Sequence, residues 1–129
     1  MWIFLNNAFV SIVDERAKKS GKKNARPLYG DMLVVRARKQ GDIQRAFGKE
    51  VKVERTEGTD YRFRARLPRQ VVANTIAQHV SAIDYGNFKD SVGQSDHQRH
   101  AAYSRVWGVM LDLQPPRMDA RQRSLPAFR

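Results

Sequence analysis

A chain of 129 residues is long enough to bury one core without disulfide staples, and its 41% apolar content argues against wholesale disorder. It contains no cysteine, which excludes disulfides, thiolate metal sites and cysteine nucleophiles. Lysine and arginine number 24 against 13 acids, a formal net charge of +11 that favours polyanionic partners: nucleic acid first, then an anionic membrane or an acidic protein.

The opening stretch Met1 to Val13 is apolar but does not have the layout of a secretory leader. No basic residue precedes it, Asn6 and Asn7 interrupt it, Asp14 and Glu15 follow it, and it is too short to span a bilayer. It reads as strand, in a cytoplasmic protein with no membrane partner. Trp2 to Leu5 and Ala8 to Val13 are rich in strand formers. Asn6-Asn7 is either a tight turn between two strands, since Asn tolerates positive φ, or a bulge in one long strand. The hairpin is the reading adopted.

From Arg16 to Pro27 the character changes. Arg16, Lys18, Lys19, Lys22, Lys23 and Arg26 crowd around Ser20-Gly21 with no apolar periodicity, as in a basic loop inserted between strands. A solvated insertion at a hairpin tip is the plain alternative. Met32 to Lys39 then alternates with the two-residue period of a strand: Leu33, Val35 and Ala37 on one side, Val34, Arg36 and Arg38 on the other. A short helix follows, with Asp42 as its cap, Ile43, Ala46 and Phe47 on one face and Gly48 at its end. Val51 to Arg55 is the next strand, and Glu57 to Asp60 turn the chain into Tyr61–Leu67. There Tyr61, Phe63, Ala65 and Leu67 alternate with Arg62, Arg64 and Arg66.

Pro68 ends that strand and suits a helix start. Arg69 to Ile83 carries Val72, Ile76, Val80 and Ile83 at helical spacing, an apolar stripe to lay against the sheet. Asn87 to Val92 is a short helical piece closed by Gly93. Ser95 with Gln98 forms a capping box opening a helix to about Leu113, with Tyr103, Val106, Trp107, Met110 and Leu113 as its buried stripe. Residues 1–114 are expected to form one α+β domain, with the basic loop at 16–27. Residues 115–129 form a basic tail containing Arg121 and Arg123.

The central succession is strand, helix, strand, strand, helix. It predicts an antiparallel ferredoxin-like sheet of four to five strands with helices packed on one face, plus a C-terminal helix. In that arrangement the two arginine-bearing strands are neighbours, and the N-terminal strand pairs with Met32–Lys39. The face without helices then gathers Arg36, Arg38, Arg62, Arg64 and Arg66, with Lys52 at its edge and Glu54 as the one in-register acid. With the arginines outward, Tyr61 and Phe63 fall in the core rather than serving as base-stacking platforms, and Trp2 and Trp107 also read as core.

Other chemistry is thinly represented. His97 and His100 stand one turn apart, an acceptable metal spacing, but a third ligand is lacking: Asp96 is adjacent in sequence and His79 lies on another helix. Asp84, Asp90 and Asp96 recur every six residues, which is not one helical face, and Asp14 is a single carboxylate. No phosphate-cradling glycine loop or serine elbow occurs. No catalytic residue, metal or cofactor is assigned, and a metal-dependent nuclease is the minor alternative.

Several stretches together resemble a family of small single-domain bacterial and phage proteins without assigned activity. They are Phe9 to Val13 closing the hydrophobic hairpin, Leu33 to Arg38, Asp60 to Arg64, Asn87 to Val92, and Tyr103 to Trp107. The resemblance spans Met1 to Met110 and implies a shared fold, with the basic loop and tail as additions. It implies no reaction. The function expected from the residues is non-enzymatic binding of nucleic acid backbone, DNA or RNA, with little sequence preference. Arg36, Arg38, Arg62, Arg64 and Arg66 form the primary surface, and the loop lysines, Arg26, Arg121 and Arg123 add reach. Occurrence in phage and mobile DNA supplies the alternative, an anti-CRISPR-like inhibitor that binds a host nucleoprotein defence complex.

Overall fold

The computed structural model describes residues 1–16 and 26–116. The chain divides into two compact units, Met1–Gly93 and Gln94–Arg129. The first is mixed α+β with a ferredoxin-like arrangement. Its elements are β1 (Trp2–Leu5), β2 (Ala8–Val13), β3 (Met32–Ala37), α1 (Asp42–Phe47), β4 (Glu54–Arg55), β5 (Phe63–Pro68) and α2 (Arg69–Ser81), followed by a 3-10 turn at Lys89–Ser91. The five strands lie in the order β1-β2-β3-β5-β4, every neighbouring pair antiparallel.

Asn6-Asn7 is a hairpin turn, with Leu5 paired to Ala8 across it. No non-glycine residue has positive φ among the described residues, so the turn forms without the left-handed asparagine conformation expected of it. The base of the 16–27 loop is tied by a bridge between Arg16 and Pro27 and by the Leu28 N–H donating to the Glu15 carbonyl at 2.9 Å.

Strand alternation puts Ala8, Val10 and Ile12, Leu33, Val35 and Ala37, and Ala65 on one face, where Ile43 and Ala46 of α1 and Val72 of α2 complete the core. The Val51–Arg55 strand is shorter than expected. Only Glu54 and Arg55 pair, while Val51 and Val53 pack against the core from irregular chain. In α2, Val72 and Ile76 meet the core as expected, but Val80 is 61% exposed and Ile83 51% exposed. At about 100° per residue, position 79 lies nearly in line with position 72 and position 80 does not. His79 accordingly turns inward, its Nε2 2.7 Å from the Ala46 carbonyl oxygen, and Ile83 lies beyond the helix end.

Asp42 does not cap α1. Gly41 occupies the cap position at φ 90°, a left-handed conformation that favours glycine, and Asp42 is the buried first residue of the helix. One Asp42 carboxylate oxygen accepts from the Phe9 N–H at 3.0 Å and the other pairs with Arg45, whose Nε donates to the Asn7 carbonyl at 2.9 Å. This cluster pins the β1–β2 turn to α1.

In the second unit, α3 runs from His97 to Leu111 and is capped by Asp96 rather than Ser95, the carboxylate accepting from the Arg99 N–H at 3.1 Å. Arg99 and Tyr103 are buried, and the Arg99 guanidinium joins the Asp96 carboxylate to the Tyr103 hydroxyl. The stripe expected to be buried is otherwise exposed: Val106, Trp107, Met110 and Leu113 all lie at the surface. Trp2 is exposed as well, and the reading of both tryptophans as core residues is overturned. Spacing identifies which residues share a helix face but carries no information on whether anything lies against that face.

Candidate functional site

Registers across the sheet place Trp2 opposite Ser11, Ser11 opposite Arg36, Arg36 opposite Arg64, and Arg64 opposite Glu54. Directly opposed residues share a face, so these five side chains form one row on the side of the sheet away from α1 and α2. The next row runs from Val13 through Val34 to Arg66. The arginine strands are therefore neighbours, as alternation predicts, and Arg36 and Arg64 stand side by side.

The arginines differ in how they are satisfied. Arg66 donates to the Tyr29 hydroxyl at 2.9 Å, stacks 4.1 Å from the Tyr29 ring centroid, and pairs with Glu54 at 3.3 Å. Its guanidinium is held above its ordinary pKa: burial opposes the charge, but the bond to Tyr29 and the Glu54 carboxylate outweigh that. Arg36 donates to the Ser11 hydroxyl at 2.8 Å and lies 4.5 Å from the Tyr61 ring centroid. Arg64 has no hydrogen-bond, ion-pair or ring partner among the described residues. The Nε atoms of Arg36, Arg64 and Arg66 are buried without an acceptor. No carboxylate among the described residues pairs with Arg36 or Arg64.

Arg38 follows the end of β3. Its Nε donates to the Asp60 carbonyl at 3.2 Å and its guanidinium lies 4.4 Å from the Tyr61 centroid. Tyr61 thus corrects one expectation: its ring is buried, but beneath two guanidiniums and outside the apolar cluster. Pairing with β3 and β4 begins only at Phe63, so the alternation does not extend back to Tyr61. The Thr59 hydroxyl, donating to the Tyr61 carbonyl at 2.7 Å, positions it instead. Phe63 packs against the core as expected. Arg62 also precedes the strand, is exposed, and approaches Glu57 at 3.8 Å, so it belongs to the β4–β5 turn rather than to the arginine row.

Arg26 is exposed beside the loop base. Lys18, Lys19, Lys22, Lys23, Arg121 and Arg123 lie outside the described residues. Asp14, considered as a lone metal carboxylate, is engaged by Arg16 at 2.7 Å and Arg69 at 3.2 Å. Among the described residues no group of three or more His, Asp or Glu side chains is placed to hold a metal ion. No helix among them is long and apolar enough to cross a membrane.

Ser11, Tyr29 and Tyr61 were missed as members of this face. Ser11 is legible in principle, since it alternates out of phase with Val10 and Ile12; the two tyrosines come from irregular segments where periodicity carries no signal. Comparison of the chain with protein-family models, with curated proteins and with solved structures yields no match.

Proposed function

We propose that the protein is a non-enzymatic binder of polyanions, with nucleic acid backbone as its ligand. The observation that carries this reading is the Arg36–Arg64 pair. Two half-buried guanidiniums face each other across adjacent strands, their Nε atoms desolvated without an acceptor; Glu54, opposite Arg64 on its other side, is in ion-pair contact with Arg66 and not with either of them. Like charges directly opposite destabilise a sheet, and a buried donor without a partner costs about 1–3 kcal/mol. A phosphate bridging their terminal nitrogens offsets the repulsion through charge-assisted bonds in the fork geometry that guanidinium presents. Tyr61 beneath Arg36 and Arg38 holds those side chains in place. The net charge of +11 draws a polyanion to the surface without choosing its sequence.

The test is fluorescence anisotropy with labelled oligonucleotides across a salt series, comparing the wild-type protein with the Arg36→Met/Arg64→Met double variant. Binding at low salt is expected, with a log–log salt slope shallower in the variant by about 1.4 on single strands, at 0.7 per phosphate contact. Failure to bind any oligonucleotide at low salt overturns the proposal. So does a stoichiometric protein partner retained from nuclease-treated lysate through these arginines, which instead favours an inhibitor of a nucleoprotein complex.

A further inference from the structure

The arginine row does not end at Ser11. Its next member is Trp2 on the edge strand, 68% exposed. Phe4 and Phe9 oppose each other one step along the same face, their rings stacked at 4.6 Å and 25°, and Trp2 meets Phe9 edge-on at 6.4 Å and 76°. An indole with one large apolar surface in water, braced by a pair of stacked rings, is not what a sheet edge needs for stability. Lone exposed aromatics are common. This one shares a cross-strand row with two guanidiniums that have no ion-pair partner among the described residues. At a strand spacing of about 4.8 Å, the Trp2 strand lies about 10 Å from the Arg36 strand, so a chain carrying both phosphates and accessible base faces would meet both kinds of group.

We infer that the ligand is single-stranded nucleic acid, one of whose bases stacks on Trp2 while phosphates engage Arg36 and Arg64. This deepens the polyanion reading and rests on it. The discriminating chemistry is the aromatic face: unpaired bases offer their π-surfaces to a side chain, whereas in a duplex those surfaces are already stacked. A row that was only electrostatic would bind duplex at least as well, since duplex carries the denser phosphate charge. Single-stranded DNA and RNA share the required features, and Trp2 does not by itself choose between them.

The experiment uses the full chain carrying Trp107→Phe, so that Trp2 is the one tryptophan fluorophore. Oligo(dT), oligo(rU) and a mixed-sequence duplex of equal length are titrated at low salt, following both anisotropy and indole emission. Single strands are expected to quench Trp2 emission and to bind at least tenfold more tightly than duplex. Trp2→Ala is expected to weaken single-strand binding by about five- to a hundredfold, the span of base–aromatic stacking contributions, with duplex binding unchanged. Trp2→Phe should restore part of the loss. Equal affinity for single strand and duplex, with Trp2→Ala neutral, overturns the stacking inference while leaving the polyanion reading intact. Absence of binding to all three ligands overturns both. The ratio of dT to rU affinities separates the two sources of single strand.

Discussion

Removing the charge of Arg64 while keeping its stem should make the protein more stable, not less. Arg64→Met retains the apolar reach of the side chain and deletes a guanidinium that has no partner among the described residues and that faces Arg36 directly. Relief of the like-charge pair is worth about 0.2–1 kcal/mol. Removal of the orphaned Nε adds about 1 kcal/mol, the low end of the range for an unsatisfied buried donor, because the rest of the group is half-exposed. Against these stand some lost packing and the lost attraction of Glu54, which opposes Arg64 on its other side, leaving a net gain of up to about 1 kcal/mol, or up to about 4–8 °C in Tm for a unit of this size. The assay is thermal unfolding followed by circular dichroism at 50 mM and 1 M NaCl. The gain should be smaller at high salt, where a Debye length of about 3 Å screens the repulsion. The contrast is Arg66→Met, which strips Tyr29 and Glu54 of their shared cation and should destabilise by about 1–2 kcal/mol. If Arg64→Met destabilises by more than 1 kcal/mol at both salts, its guanidinium is satisfied internally and the reasoning for an anion site fails.

The remaining expectations concern the scaffold. Asp42→Ala leaves the Phe9 N–H without its acceptor and Arg45 without its carboxylate; urea denaturation should show a loss of about 2–3 kcal/mol. Ile43→Ala, at a side chain 1% exposed, should cost about 2–4 kcal/mol in the same assay, whereas Val80→Ala, at 61% exposure, should stay within about 0.5 kcal/mol. Tyr61→Leu keeps a buried apolar side chain but removes the ring beneath Arg36 and Arg38. It should weaken oligonucleotide binding by about three- to tenfold, in line with two cation–π contacts, with an unchanged number of phosphates in the salt slope.

The sheet was largely legible from sequence because each buried strand carries a clean two-residue period. Leu33, Val35 and Ala37 fall inward and Arg36 outward, and the order of helices and strands then fixes β3 beside β5. Legibility failed wherever a residue's surroundings are set by something other than its own period. Tyr61 lies just before the paired part of β5 and follows the β4–β5 turn, not the alternation. Asp42 has the chemistry of a cap and the position of a buried acceptor, a difference decided by the Phe9 N–H from a strand 33 residues away. Val80 and the α3 stripe have helical spacing without a surface against them. The aromatic side of the candidate site is obscured because composition makes Trp2 a core residue and Phe4 and Phe9 merely strand formers. Their registers with Ser11 and the arginines emerge only once β1 is paired to β2 across Asn6-Asn7.

The most direct measurement is NMR of the arginine Nε–Hε groups, assigned by single Arg→Lys replacements, during titration with a short oligothymidylate. Arg36 and Arg64 should give the largest shift changes as phosphate engages the terminal nitrogens of the same guanidiniums. If their signals stay fixed while those of Arg26 and of the arginines in 117–129 respond, the polyanion is held by diffuse charge and the paired guanidiniums are not its site.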